Sequence, residues 1–208
     1  MNTPEPKDLE ARARDILARI NLFQNGPVAQ QLREAGVVYP YSLGVPIPSL
    51  REIAGEYEAS MPLARHLVQR KLREAILIAS MLAVPEEFQA EDYDLWEQTF
   101  TTPEAVEVAC FHCLCKLPAP WSHISSWLQS QEPLRQKAGL LTLCHALRKG
   151  RTIPSTLSEG LELSQTAHHT ALQQDLLALY DASQGKDEKV HQKVQAALRE
   201  NLGPDCEL

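Results

Sequence analysis

This sequence has almost no strand signal: its β-branched residues never gather into the alternating runs that a half-buried strand requires. A sheet is therefore not expected. Glycine is scarce, nine residues in 208, and none sits in a phosphate-cradling loop or a nucleophile elbow. No apolar run approaches the roughly 20 residues that span a bilayer. The opening MNTPEPKDLEARARDIL brings acids early and lacks an apolar core, so it does not read as a secretory signal. Cysteines number five, an odd count, and three crowd at Cys110, Cys113 and Cys115. That is not a secreted disulfide framework, and a reducing cytoplasm is the expected compartment. A basic surplus is missing as well. The net charge is −7, which taken alone argues against a nucleic-acid partner.

Helical periodicity fills the chain instead. With 44% hydrophobic and 23% charged residues the composition is that of a folded globular chain, and the length suffices for one domain, 1–208, with a sizeable core. Apolar residues at 9, 12, 16, 17, 20 and 23 step by three and four, which predicts a helix over Leu9–Phe23. A short helix is expected over Pro27–Ala35, closed by Gly36, then a loop over 36–47 and a helix over Pro48–Glu58. A long helical stretch is predicted from Leu63 to Leu82. Further helices are expected over 92–100, 103–116, 120–129, 133–148, 155–165, 168–182 and 187–201. Pro48, Pro103, Pro120, Pro133 and Pro154 each stand where a helix should begin, since a first-turn proline gives up no helical hydrogen bond. Thr102 is placed to cap the helix after it. Helix pairs starting near 48, 92, 120, 154 and 187 give a period of roughly 30–40 residues, the spacing of two-helix repeats that bury their apolar faces by stacking. The expected fold is all-α: a HEAT-like solenoid of stacked antiparallel helix pairs, monomeric.

Charge is distributed unevenly. Residues 61–80 hold four basic residues and one acid, and residues 111–151 hold six and one. Between them, 81–110 hold eight acids and no base, and 152–208 hold four basic residues and nine acids. A solvated mixed surface is the ordinary meaning of such runs. The sharper expectation is a local positive face lining the concave wall, built from Arg70, Lys71, Arg73, Lys116, Arg135, Arg148, Lys149 and Arg151, with a duplex phosphate backbone as its weakly bound partner.

Two stretches resemble a known family. YSLGVPIPSLREIAGEY (41–57) is similar to the glycine-valine-x-x-proline, arginine-x-isoleucine-alanine entry helix of the AlkD-type DNA alkylation repair proteins. LARHLVQRKLREAILIASMLA (63–83), with Arg73 and Glu74 before an apolar helix, is similar to the helices that follow. The resemblance implies HEAT-like DNA glycosylases that remove cationic alkylated purines, with some members that bind DNA without detectable glycosylase activity. It also implies three site residues: an aspartate facing the sugar cation, a tryptophan four residues before it, and an arginine in a later helix that holds a phosphate. In TTPEAVEVACFHCLCKLP the best register puts Pro103 at the tryptophan position and Glu107 at the aspartate position, and PLRQKAGLL puts Lys137 at the arginine position. All three are substituted. Glutamate adds one methylene of reach, roughly 1.5 Å, where about 1 Å can cost a hundredfold. Lysine keeps a phosphate contact but loses the planar fork, and proline supplies no aromatic wall. A second register pairs Phe100 with Glu104, which would restore the aromatic-to-acid spacing.

The remaining constellations have ordinary explanations. Glu104 and Glu107 share a helix face, and first-turn acids favour a helix N-terminus. Cys110, His112, Cys113 and Cys115 lack a second paired cluster, with His168 and His169 too remote, so buried apolar cysteines are expected and no metal or other cofactor. Trp96, Trp121 and Trp127 read as core, with Trp121 able to face the groove instead. Two functions follow: a DNA-binding member of the repair family with lost or weak glycosylase activity, in which Glu107, Lys137 and Glu104 are the residues to test, or a non-catalytic scaffold that binds a protein.

Overall fold

The computed structural model describes residues 6–163 and 170–202. Its regular structure among these residues is twelve α-helices and three short 3-10 turns, and the only bridge is an isolated parallel one between Tyr41 and Leu72. The fold is all-α, and the chain forms two compact units, Met1–Cys113 and Leu114–Leu208.

The first unit contains α1 (Pro6–Leu22), α2 (Gly26–Glu34), α3 (Ile47–Gly55), α4 (Met61–Val68), α5 (Arg73–Leu82), α6 (Ala90–Glu97) and α7 (Pro103–His112). α5 packs on α4, α3 and α7, while α4 also packs on α1 and α6. The core between them is built from Leu50, Ile53, Leu63, Leu67, Leu77, Ile78 and Trp96. The predicted helix over Leu63–Leu82 is instead a complete helix pair, broken at residues 69–72. Nothing in GlnArgLysLeu forbids a helix. The break comes from a distant partner: Leu72 is extended (φ −104°, ψ 125°), and the Arg73 amide donates to the Tyr41 carbonyl at 2.9 Å. A backbone bond across 32 positions leaves no periodic trace in the sequence.

Loop 39–45 earns this role through two features. Gly44 has φ +72°, and a Cβ there would stand 2.2 Å from the Asn25 carbonyl oxygen and 2.5 Å from the Ala29 nitrogen. The glycine of the glycine-valine motif is therefore required twice over. Glu74, fully buried, accepts hydrogen bonds from the Leu43 and Val45 amides and the Ser42 hydroxyl. Arg73 completes the arrangement. Its Nε and Nη2 fork onto the two oxygens of Glu104 at 2.7 and 2.5 Å, and Nη1 donates to Glu74 and to the Val45 carbonyl. The Tyr39 hydroxyl donates to Glu104 and accepts from Thr102, whose hydroxyl oxygen caps α7 through the Ala105 amide. Burial pulls the Arg73 guanidinium down, but Glu104 and then Glu74 outweigh it and raise the pKa overall. Burial likewise raises the Tyr39 phenol, against the Thr102 bond and together with the Glu104 charge.

The second unit contains α8 (Trp121–Leu128), α9 (Pro133–Arg148), α10 (Ser155–Gly160), α11 (Gln173–Ser183) and α12 (Glu188–Leu202). α9 packs on α8 and α11, α11 on α12, and α10 on α8 and α12. Gly139 lets α8 and α9 approach closely, since a Cβ there would lie 2.7 Å from the Leu128 side chain. α9 ends with Gly150 at φ +73°, the Gly150 amide bonding to Leu147 and the Arg151 amide to Ala146, a Schellman closure. The expected helix over 155–165 stops at Gly160. That over 168–182 begins, after a 3-10 turn, at Gln173, and residues 164–169, with His168 and His169, lie outside the described residues. Pro103 and Pro133 are first helical residues and Pro48 a second, whereas Pro120 and Pro154 sit one position earlier, at the caps.

Arg73 is 3% exposed and Glu104 16%. Arg73→Met would leave Glu74 and Glu104 as facing, uncompensated carboxylates, and it is expected to lower the unfolding free energy by about 3–5 kcal/mol. Glu104→Gln retains an acceptor for the fork and should cost about 1–3 kcal/mol. Urea unfolding followed by circular dichroism measures both, and a loss in Glu104→Gln as large as that in Arg73→Met would mean that the fork requires the carboxylate charge and not merely an acceptor at position 104.

Candidate nucleic-acid interface

α7 carries the positions at issue, and its N-cap fixes which way they point. With Thr102 capping, Pro103, Glu107 and Phe111 recur every four residues and are exposed, whereas Val106, Ala109 and Cys110 are buried. Glu107 therefore presents its carboxylate outward from the second turn. Glu104 is turned the other way and is held by Arg73 and Tyr39. Phe100 is 8% exposed and precedes the helix, in the turn closed by its amide to the Glu97 carbonyl, so the pairing of Phe100 with Glu104 does not put an aromatic and an acid on one helix face.

Lys137 lies in the first turns of α9, where its ammonium contacts both oxygens of Asp175 on α11 at 3.1 and 3.0 Å. Its side chain is 12% exposed and that of Asp175 10%. The expected phosphate anchor already has a carboxylate ligand from its own unit.

The basic block at 61–80 does not form a positive face. Arg65 forks onto Asp92 at 2.7 and 2.8 Å, and Arg70 pairs with Glu10 at 2.8 Å. Arg73 departs furthest from the expected DNA contact, since it is buried and ligated by two carboxylates. Lys71 remains exposed. The sequence pattern supplied four cations but not their distant acids, which stand at 10, 92 and 104.

The block at 111–151 divides differently. Arg151 turns inward after the Gly150 reversal: it donates to the Cys115 and Pro118 carbonyls at 2.9 Å each and stacks on Trp121 at 4.7 Å. Lys116, Arg135, Arg148 and Lys149 are exposed. Arg148 and Lys149 end α9, where the helix dipole favours cations. Beside them stands Lys186, which sequence reasoning missed. It follows Gly185, at φ +67°, and its ammonium donates to the Leu147 carbonyl at 3.0 Å. A surface hollow of about 270 Å³ adjoins this cluster, lined by Gly150, Arg151, Thr152, Lys186 and Asp187 among others. Cys110, Cys113, Cys115 and Cys144 are buried and outside any disulfide. Burial pushes the Cys144 thiol up, and it donates to the Ala178 carbonyl.

A second feature missed from sequence lies on the first unit. The Arg51 guanidinium stands 5.9 Å over the ring of Phe111, which is 45% exposed. His112 meets the same ring edge-on, with centroids 5.0 Å apart. Arg51 belongs to the arginine-x-isoleucine-alanine motif, and Phe111 lies one turn beyond Glu107. Spacing alone could have put Phe111 on the Glu107 face.

His145 reports on the basic end of α9. Burial first, then the charges of Arg148 and Lys149, hold its pKa below the usual imidazole value. Its folded pKa thus lies below the unfolded one, so its contribution to stability is present above the unfolded pKa and is lost as the pH falls. A double variant, Arg148→Gln with Lys149→Gln, should raise the His145 pKa part of the way back, since burial, the larger cause, remains. Titration of the imidazole by nuclear magnetic resonance tests this, and an unmoved pKa would mean that the two cations do not act on the ring.

The model of the family described as "DNA alkylation repair enzyme" matches residues 25–196. A search of curated proteins gives no match. One solved structure is described as belonging to "a new family of proteins related to the HEAT-like repeat DNA glycosylases with affinity for branched DNA structures". It superposes with a TM-score of 0.73 at 17% identity, over 90% of this chain and 82% of that one. At that identity the likeness speaks for the fold, a HEAT-like helical repeat, while the family model spans most of the sequence. The helix pairs, the glycine-valine loop and the Arg73–Glu74 pair fall within the matched span, and the chain belongs to the DNA alkylation repair enzyme family.

Proposed function

We propose that this chain is a DNA-binding member of its family that grips the phosphate backbone through the basic end of α9, and that it releases methylated purines slowly or not detectably. The exposed cluster of Arg148, Lys149 and Lys186 carries the reading on binding. Three cations at one helix end are a phosphate-binding surface in an otherwise acidic chain. Branched DNA is the natural first substrate to compare with linear duplex, because the structural neighbour is described by its affinity for such forms.

The weak or absent excision follows from the chemistry of the three family positions. Pro103 offers no aromatic wall, Lys137 is neutralised by Asp175, and Glu107 alone retains an outward carboxylate. An alkylated purine is already a cationic leaving group, so even the modest stabilisation of the sugar cation that the Glu107 carboxylate alone would supply leaves room for slow turnover. A non-catalytic scaffold for a protein partner is the second reading. It is favoured by the first unit, residues 1–113, where ten basic residues face seventeen acids and most of the cations in 61–80 are already paired.

Two measurements decide. Fluorescence anisotropy with a DNA duplex should give weak, salt-sensitive binding, with a log–log salt slope of about −2.7 for some three phosphates. The double variant Arg148→Glu with Lys149→Glu should flatten that slope and weaken binding. No binding at low salt would hand the function to the scaffold reading. In an excision assay on methylated duplex, any turnover should vanish in Glu107→Gln, which removes the charge at nearly constant shape. Vigorous excision that survives this change would overturn the assignment of Glu107.

A further inference from the structure

The pairing of Arg51 with Phe111 is used by neither the fold nor the duplex-binding surface. Phe111 is one of the few large apolar side chains left exposed, at 45%, and α7 places it four residues after Glu107 on the same face. Neighbours at that spacing on a helix lie about 5–6 Å apart. Arg51, on α3, is exposed and has no carboxylate partner among the described residues. Its contact is the face of the Phe111 ring. A hollow of about 310 Å³ opens beside them, lined by Arg51, Gly55, Tyr57, Met81 and His112 among others. An exposed ring, an arginine with its charge unmatched and an adjoining recess form the combination that holds unpaired nucleotides. The ring stacks on a base, and the guanidinium meets the phosphate beside it. A base-paired nucleotide inside a regular duplex has no free face to offer such a ring.

We propose that Phe111 and Arg51 form a binding site for a single unpaired nucleotide of a DNA strand, with the base stacked on Phe111, the phosphate held by Arg51 and the sugar carried toward Glu107. This rests on the reading of the chain as a DNA binder and deepens it by naming the DNA feature recognised. Pro103 cannot supply an aromatic surface one turn before the acid, and Phe111 supplies one a turn after it. Recognition then selects structure rather than base identity, because every base has a stacking face. Intact linear duplex engages only the basic end of α9.

The test uses the full chain and two duplexes of the same sequence, one continuous and one with a single bulged 2-aminopurine. Wild type is expected to favour the bulged duplex by about tenfold and to quench the 2-aminopurine fluorescence as it stacks. Phe111→Leu keeps an apolar side chain of similar reach without a ring face, so it should bring the affinity ratio close to one and abolish the quench. Phe111→Trp should restore both. Arg51→Gln should reduce the ratio and leave part of the quench. Thermal melting of each variant verifies folding. Equal affinity of wild type for the two duplexes, or a ratio and quench that survive Phe111→Leu, overturns the site while leaving duplex binding standing. Failure to bind either duplex at low salt overturns the DNA-binding reading itself, and this site with it.

Discussion

The fork of Arg73 onto Glu104 is the contact on which the first unit is arranged. It is buried on one side, bidentate, and backed by Glu74, so one cation serves two carboxylates. Such a cluster is costly to desolvate and is retained only where the geometry satisfies every donor and acceptor. Here it does so by recruiting backbone. Glu74 collects the amides of loop 39–45, Arg73 takes the Val45 carbonyl, and Tyr39 ties Glu104 to the cap of α7. One cluster therefore fixes a loop, a helix break and the rotation of α7 about its axis. That rotation decides which of two acids three residues apart faces solvent.

The same economy shapes the electrostatics. Cations that read as a surface in the sequence are bound to acids far along the chain: Arg65 to Asp92, Arg70 to Glu10, Arg73 to Glu104. The first unit carries the whole surplus of negative charge, because residues 114–208 hold ten basic and ten acidic residues. Local affinity for a polyanion then depends on which cations are left unmatched, and net charge is a poor guide to it. At the end of α9 the helix terminus itself supplies partial negative charge, which favours the gathering of Arg148, Lys149 and Lys186 there.

Helices were legible in the sequence wherever local physics determined them. The full span of α9 follows from Pro133, the three-and-four steps and Gly150, and the cap at Thr102 follows from the proline beside it. The break at 69–72 was not legible, because its cause lies at Tyr41. The helix expected over 155–165 ends instead at Gly160, although the apolar pattern continues to Leu161 and Leu163. Site residues were legible as types and not as environments. Glu107 and Glu104 read alike, and only the packing of α5 against α7 separates them. Arg51 was visible only as a motif residue, Phe111 drew no reading, and their contact across 60 positions left no trace in the pattern.

Lys137 and Asp175 carry one more consequence. A phosphate that reached Lys137 would meet an ammonium already held by a carboxylate on a neighbouring helix, at a distance of 3.0 Å. The competitor is tethered, so its effective concentration is millimolar or more and cannot be diluted. The Lys137 ammonium is thus occupied from within its own unit, and any anion that approached it would first have to part it from Asp175 on α11.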